Sequence, residues 1–403
     1  MKKVSHKKGS VVRLFTIAAH AFNKLSTPAF NIVISVIIIR TFSDELWGQF
    51  ISLSLISNLA IQVISWGHKE YLIKGFSQNS RNIANLWQQS FISRGVLYLV
   101  CIPVFIFFLT LPRDLIIGLS LWTFTLYIYR SFDVLVLYFR NFILSTILEF
   151  FGYVILIVGI IVLRSDFSII HLLWLNIAIT LFKSVCIIVF YRKTIFKNVK
   201  LNPNILFFRE AFPFFLPSII GFVQSKADIY VVALSLSQNE LAEYQILINL
   251  LSMIHQIALL SITPYTKHMY RLNDEVTNRF AWMFFKWGLV VSLLSMPVIY
   301  FIITFYYRFK LEWSVYLGGL LLVLPLFYYS IKTYQWFKHN DQYKVVAINL
   351  LMAVVGLLLS LALIPSWGIT GALVANCATQ WLAFFLFLKK SKKKGLYEQP
   401  RIA

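Results

Sequence analysis

Unbroken apolar stretches of about 20 residues recur along nearly the whole chain. The stretch at residues 143–163 holds one charged side chain, Glu149. An α-helix of that length crosses a bilayer, whereas a barrel strand alternates apolar and polar residues over about ten positions. Charged residues make up 13% of the chain, against about 25% in soluble domains. Since lipid cannot satisfy backbone polar groups, the sequence predicts an all-α membrane protein.

A sliding window of about 19 residues predicts about twelve transmembrane helices. The predicted spans are residues 12–39, 46–66, 83–110, 115–138, 143–163, 169–191, 211–236, 241–264, 280–305, 313–331, 344–364 and 367–388. The longest segment between spans, residues 192–209, is basic and separates six predicted helices from six. We therefore predict two six-helix lobes, an N-terminal lobe over residues 1–200 and a C-terminal lobe over residues 201–403.

Lysine and arginine are unevenly divided between the two alternating sets of loops. The set that includes both termini holds 27 of them, four of which lie in residues 67–94, and the opposite set holds five. Cytoplasmic loops carry an excess of these residues, so both termini are predicted to be cytoplasmic. The net charge of +21 then reflects basic loops, including residues 389–394, that face an anionic membrane surface and not a nucleic acid.

Sequence signatures of enzyme chemistry do not occur in this chain. It has no phosphate-binding loop of the G-x-x-x-x-G-K-[ST] type, no H-E-x-x-H pair and no serine-nucleophile motif. Its three cysteines, Cys101, Cys186 and Cys377, each lie inside an apolar run at no metal-ligand spacing. The sequence therefore favours a transporter over an enzyme and predicts neither a metal nor a cofactor, with energy drawn from an ion gradient, the membrane potential or the substrate gradient.

Polar side chains recur at three- and four-residue spacing, along one face, in spans one, two, seven and eight. In the first half they are Thr16, His20, Asn23, Thr27, Asn31, Ser54, Asn58, Gln62 and Ser65, and in the second half Ser218, Gly221, Gln224, Ser225, Asp228, Gln245, Asn249, Ser252, Gln256 and Thr263. Because lipid disfavours such groups, matched stripes in the two halves predict a water-accessible cavity between the lobes. The same side chains can instead serve only to bond one helix to another, which the sequence leaves open.

Ionisable residues inside spans are the strongest candidates for substrate binding, because placing each one near the bilayer centre costs roughly 2.5 to 3.5 kcal/mol. Lys24 and Asp228 lie on or beside the stripes, and Arg130 and Asp133 are close enough to pair. Lys226 is about 160° around the helix from Asp228. Glu149, Lys183 and Lys286 are expected near the membrane surface, where a lysine can extend its amine to water. The predicted substrate-binding residues are Lys24, Asn31, Asn58, Gln62, Arg130, Asp133, Gln224, Lys226, Asp228, Asn249 and Gln256.

Three segments resemble a known family. The segment RTFSDELWGQF at residues 40–50 is similar to the junction after the first helix of bacterial polysaccharide flippases, which translocate lipid-linked oligosaccharides for O-antigen or capsule. Pro217, Asp228 and the segment from Glu240 to Tyr244 resemble the seventh-helix region of the same proteins, although Glu243 stands where glycine is usual. The segment IPSWGITGAL at residues 364–373 is similar to their glycine-containing signature in the last helix.

The resemblance implies the fold of multidrug and toxic-compound exporters, two six-helix lobes related as a parallel repeat, within the multidrug/oligosaccharidyl-lipid/polysaccharide exporter superfamily. It implies flipping of an undecaprenyl-pyrophosphate-linked oligosaccharide from the cytoplasmic to the outer leaflet of the bacterial inner membrane by alternating access. A polysaccharide polymerase and a chain-length regulator are possible partners, besides the lipid bilayer. The net positive charge within the spans favours an anionic substrate. The alternatives are a multidrug or lipid II exporter of the same fold and, with less support, a membrane-embedded polymerase or ligase.

Overall fold

The protein is described by a computed structural model covering residues 28–164, 167–196, 203–262, 269–339 and 341–388. These residues form helices and connecting turns, with no β-strand among them. Ten helical segments are long and apolar enough to cross a membrane, and a shorter apolar helix, α1 (Pro28–Thr41), precedes them. The prediction of an all-α, multi-pass membrane protein is confirmed.

The first half of the chain forms the helices that follow α1 as far as a long apolar helix, α8. They are α2 (Asp44–Ser65), α3 (His68–Gln78), α4 (Ile83–Phe108), α5 (Arg113–Arg130), α6 (Asp133–Phe139), α7 (Phe142–Val162) and α8 (Ile169–Ile195). The Ser43 hydroxyl caps α2 by accepting from the Leu46 amide at 3.1 Å, and Asp44 and Glu45 place negative charge in its first turn. Such a start is favoured because the cap and the charges satisfy the unpaired amides of the helix terminus.

Two of these spans consist of two helices in sequence. Between α2 and α3 the chain turns through Trp66 and Gly67, both at positive φ, yet residues Asp44–Gln78 form one continuous span. Between α5 and α6 a turn at Ser131 and Phe132 interrupts the span Arg113–Phe139. Both interruptions lie next to charged side chains, so they affect how those side chains are positioned.

The second half forms five long helices. They are α9 (Leu206–Ser235), α10 (Gln238–Ile262), α11 (Asp274–Phe301), α12 (Trp313–Lys338) and α13 (Gln342–Leu388), with a π-helical segment, Ile302–Tyr307, directly after α11. Pro213 and Pro217 lie inside α9, which continues through both. Proline removes a backbone donor within a helix, but α9 remains one helix at both positions.

Helix α13 is too long to be a single span. As one straight helix its 47 residues would extend over about 70 Å, more than twice the roughly 30 Å of a hydrocarbon core. Gly368 has φ 56° and ψ −138°, which breaks the helix, and Pro365 lies just before it. Counted on either side of Gly368, the described helices give eleven segments of spanning length, and the shorter helix α1 precedes them. This break coincides with the predicted boundary between spans 344–364 and 367–388.

The chain divides into two compact units, one up to Ile219 and one from Ile220 onward. The core of the first unit is built by α2 to α8 and includes Leu72, Phe132 and Leu135, all almost fully buried. In the second unit α12 packs against α10, α11 and α13, and its Phe327 ring lies directly against Gly288 of α11. Large apolar side chains remain exposed along both units, as expected for surfaces that meet lipid.

Candidate functional site

A charged cluster in the first unit centres on Glu149 of α7 and Lys183 of α8. The Lys183 ammonium lies 2.7 Å from Glu149 Oε2, and the Tyr129 hydroxyl donates to Oε1 at 2.9 Å. Gly152 leaves room for the stem of Lys183, since a Cβ there would lie 2.5 Å from Lys183 Cε. The Lys183 amine is also 5.8 Å from the centre of the Tyr153 ring. This carboxylate is therefore paired on both oxygens.

The pair lies well inside its helices. Glu149 is about 11 Å from the start of α7, and Lys183 about 18 Å from the end of α8. Their side chains are only 21% and 13% exposed. This differs from the expectation that each would lie near the membrane surface. An ion pair offsets the cost of burying both charges, and removing one partner would leave the other uncompensated.

Arg130 and Asp133 lie on either side of the turn between α5 and α6. Arg130 is exposed and Asp133 half-buried, and they are not among the pairs within 4.0 Å that the described residues form. Asp133 is close enough to Arg130, Lys69 and Glu149 for their charges to act on its carboxyl group. The cluster formed by Lys69, Arg130, Asp133, Glu149 and Lys183 holds three cations and two carboxylates, so it has one excess positive charge.

Arg94 of α4 holds the same turn through hydrogen bonds. It is 1% exposed, and it donates to the Ser131 hydroxyl at 3.1 Å and to the Ser90 carbonyl at 3.2 Å. Its guanidinium also lies 5.4 Å from the centre of the Tyr127 ring. The loop count above assigned Arg94 to a loop, although the predicted span 83–110 contains it, and the structure places it inside α4. The sequence contains the signal: residues 95–108 would give a helix of only about 21 Å, too short to cross a bilayer, so the span must include Arg94.

A second cluster, in the second unit, surrounds Asp228. Its carboxylate is 6% exposed on α9, Tyr244 of α10 donates to its Oδ2, and Asn376 of α13 donates to the same atom at 2.6 Å. Asn376 also donates to the Tyr244 hydroxyl at 3.0 Å, so the three side chains form a closed triangle. Among the described residues Oδ1 accepts no hydrogen bond. The arrangement holds a carboxylate with one open oxygen between three helices.

Tyr244 and Asn376 are absent from the predicted substrate-binding set. Tyr244 lies in one of the segments that resemble the flippases, and Asn376 is one of a few polar residues in the last apolar run, but neither pattern indicates that they meet Asp228. Lys226 is exposed while Asp228 is buried, in keeping with their separation around α9. The Gln224 amide is 3.7 Å from the Met352 sulfur. Only Asp228, of the predicted residues in this half, belongs to the triangle.

The remaining predicted residues are distributed along α1, α2 and α10. Asn58 is exposed and donates to its own helix at Ser54, and Gln62 donates to the Ser218 hydroxyl of α9 at 2.8 Å. Asn31, Asn249 and Gln256 are half-buried. Lys24 lies outside the described residues, as do the stripe residues Thr16, His20, Asn23, Thr27 and Thr263. The α2 stripe thus keeps polar surface exposed within a membrane span.

The helices define the class of this protein as a multi-pass, all-helical membrane protein, with two clusters of charged and polar side chains inside its spans. A solved structure described as the lipid II flippase MurJ, inward closed, matches with a TM-score of 0.65 and 14% identity over 94% of this chain and 86% of that chain. An inward-facing multidrug resistance MATE family transporter of the MOP superfamily matches with a TM-score of 0.64 and 11% identity over 91% and 97%. An outward-facing transporter of the same kind gives a TM-score of 0.51 and 14% identity over 92% and 94%.

No family model matches the sequence, and no curated protein matches it either. At these identities the solved structures establish the fold alone. The chain has the fold of these three solved structures, whose descriptions name a lipid II flippase and two multidrug resistance transporters.

Proposed function

We propose that this protein flips an undecaprenyl-pyrophosphate-linked oligosaccharide from the cytoplasmic to the outer leaflet, for assembly of an O-antigen, a capsule or a similar surface polysaccharide. The observation that carries the proposal is the excess of cations in the cluster around Glu149 and Lys183, at membrane depth, in a fold shared with a lipid II flippase. An uncompensated cation is costly inside a membrane. A passing pyrophosphate would compensate it during transport.

Arg130 is the residue best suited to bind the pyrophosphate. It is exposed within its span and forms no ion pair among the described residues. A guanidinium presents paired donors that match two phosphate oxygens. Asp133 and Glu149 reduce the positive charge of the cluster to one unit. The pyrophosphate is therefore bound weakly enough to be released. The exposed polar side chains of α2 hydrate the glycan, and the prenyl tail stays in lipid.

Alternating access of the two lobes would carry the headgroup across the membrane. In this proposal Asp228 couples the movement to a cation, because its carboxylate is buried at the junction of α9, α10 and α13 and keeps one oxygen open. Binding and release of the cation would change the charge that these three helices enclose. This change would favour one of the two alternating-access conformations over the other.

The test uses purified protein in liposomes with undecaprenyl-pyrophosphate-linked oligosaccharide that carries a fluorophore on its glycan. A membrane-impermeant reductant reports the labelled glycan exposed outside. We expect Arg130→Gln to slow flipping about tenfold or more, since a charge-assisted hydrogen bond contributes roughly 1.5 to 3 kcal/mol. Arg192→Gln, an exposed arginine at the end of α8 in the same unit, is the control and should stay within about twofold of the unchanged protein.

Equal flipping by the Arg130→Gln and Arg192→Gln proteins would remove Arg130 from the proposal. Multidrug export is the second candidate function, favoured by the match to MATE transporters over nearly the full length of both chains. The same vesicles loaded with a cationic dye distinguish the two. Dye export without glycan flipping by the unchanged protein would overturn the flippase proposal and support the exporter.

A further inference from the structure

A groove of about 520 Å³ runs along one face of α11, over the first half of that helix. It is lined by Glu275, Asn278, Arg279, Trp282, Met283 and Lys286. These positions recur every three or four residues, so they share one face. Phe284 and Gly288, which contact Phe327 of α12, lie on the opposite face. The groove therefore lies on the outer side of α11, and one of its edges, at Asn278 and Trp282, borders α12.

The groove carries more positive than negative charge. Arg279 and Lys286 are exposed, and neither belongs to an ion pair within 4.0 Å among the described residues. Glu275 supplies the carboxylate of the groove, at the end nearest the start of α11. These two cations lie along one helical face and lack an ion-pair partner in the described part of the chain. The charge of the groove is therefore complementary to that of an anion.

A buried lysine fixes the orientation of a third polar group in the groove. Lys332 of α12 is 2% exposed, and its ammonium donates to Asn278 Oδ1 at 2.5 Å and to Gln335 Oε1 at 2.7 Å. An ammonium can only donate, so the oxygen of the Asn278 amide must point toward Lys332. The NH₂ group of that amide is then left to donate to a ligand in the groove.

The same face becomes wholly apolar farther along α11. Val290, Leu293 and Leu294 are 53%, 51% and 69% exposed, and they follow Lys286 at helical spacing. Trp282, which is 43% exposed, lies between the two cations. Tryptophan is enriched where a membrane meets water, and a lysine stem can lie along apolar surface while its amine reaches the headgroups. The groove thus continues into a surface suited to acyl chains.

From this arrangement we infer that the α11 groove binds the phosphate headgroup of an anionic phospholipid. Arg279 and Lys286 contact the phosphate, the Asn278 NH₂ group donates to one of its oxygens, and the acyl chains lie along Val290, Leu293 and Leu294. Loop charges assign this end of α11 to the cytoplasmic side, so the lipid belongs to the inner leaflet. The site is separate from the charged cluster of the first unit and does not depend on the substrate that the protein flips.

The test is native mass spectrometry of the full chain in detergent with added phosphatidylglycerol or phosphatidylcholine. We expect the unchanged protein to retain phosphatidylglycerol in preference to phosphatidylcholine. Arg279→Ala/Lys286→Ala should weaken phosphatidylglycerol binding about 30-fold, because each basic residue contributes about a factor of five near an anionic headgroup. Asn278→Asp should also weaken binding, since it keeps an oxygen for Lys332 but replaces the donor with a second oxygen.

The matched control is Arg113→Ala/Lys310→Ala, which also removes two exposed cations from the chain. It should bind phosphatidylglycerol within about twofold of the unchanged protein. Thermal unfolding of each variant checks that the fold is retained. Equal loss in both double variants, or equal retention of both lipids, would overturn the inference. Displacement of the lipid by millimolar inorganic phosphate would also overturn it, because the groove would then be a site for free phosphate. A change in the oligomeric state of the Arg279→Ala/Lys286→Ala protein without a change in bound lipid would overturn it as well.

Discussion

Two donors converge on one oxygen of Asp228 and leave the other oxygen open. The first oxygen therefore has a structural role, and the second is the one that can serve a function. Tyr244 and Asn376 would bond equally well to a neutral amide oxygen at that position, so the triangle does not require a charge. The other carboxylate oxygen accepts no hydrogen bond among the described residues. Retaining a carboxylate here, at the cost of burying it, is consistent with a cation-binding role.

Replacing Asp228 by asparagine should therefore abolish the response of the proposed flipping activity to a proton or sodium gradient. The amide oxygen still accepts from Tyr244 and Asn376, so the free energy of unfolding should change by less than about 2 kcal/mol. Flipping is measured in liposomes with and without an imposed gradient, and stability by thermal unfolding.

Asp114→Asn, at an exposed carboxylate in the first turn of α5, is the control and should leave the gradient response intact. An Asp228→Asn protein that responds to either gradient as fully as the unchanged protein would show that Asp228 has only a structural role.

The junction between α2 and α3 depends on a close approach to α9. Gly67 has φ 67°, and a Cβ there would lie 2.5 Å from the Phe215 amide nitrogen. Trp66 stacks on the Phe215 ring at 4.2 Å and donates to the Phe208 carbonyl at 2.9 Å, and the Tyr71 hydroxyl donates to Glu210 at 2.6 Å. These contacts hold the first half of α9 against the other helices of the first unit.

Replacing Gly67 by alanine should separate these helices. We expect a loss of about 2 kcal/mol or more in unfolding free energy, because the new methyl group meets backbone atoms that cannot move aside and the positive φ is strained for alanine. Fluorescence of the tryptophans and thermal unfolding in detergent report the change.

Gly221→Ala is the matched variant in α9, where a Cβ would meet nothing within 4 Å. It should be neutral or stabilising by about 0.5 to 1 kcal/mol, since alanine favours a helix. Equal stability of the Gly67→Ala and Gly221→Ala proteins would contradict the close approach of α2 and α9.

For the molecule as a whole, the charges that remain in loops indicate orientation. The 27 basic residues of the cytoplasmic set include Arg94 and, in the loop counted as residues 332–344, Lys332, yet both are buried inside helices. Without them 25 remain against five on the opposite side, so the asymmetry that predicts cytoplasmic termini is scarcely altered. The proposal of the bacterial cytoplasmic membrane as the location rests on the resemblance to bacterial polysaccharide flippases and not on these charges.

Cysteine labelling in intact cells tests this topology. In a protein whose three cysteines are replaced by alanine, Ser80→Cys, between α3 and α4, should react with a membrane-impermeant maleimide only after the cells are opened. Ser314→Cys, at the start of α12, should react without opening because the positive-inside rule places it outside. The reverse pattern of labelling would invert the proposed orientation.

The spans were predictable from the sequence because the length of an apolar run and the positions of Pro365 and Gly368 are local properties. The charged clusters were not. Lys183 meets Glu149 from 34 positions away, and Asn376 meets Asp228 from 148 positions away. A helical stripe shows which face is polar but not which helix that face meets. The partners of the buried charges were therefore decided by the packing of helices that the sequence places far apart.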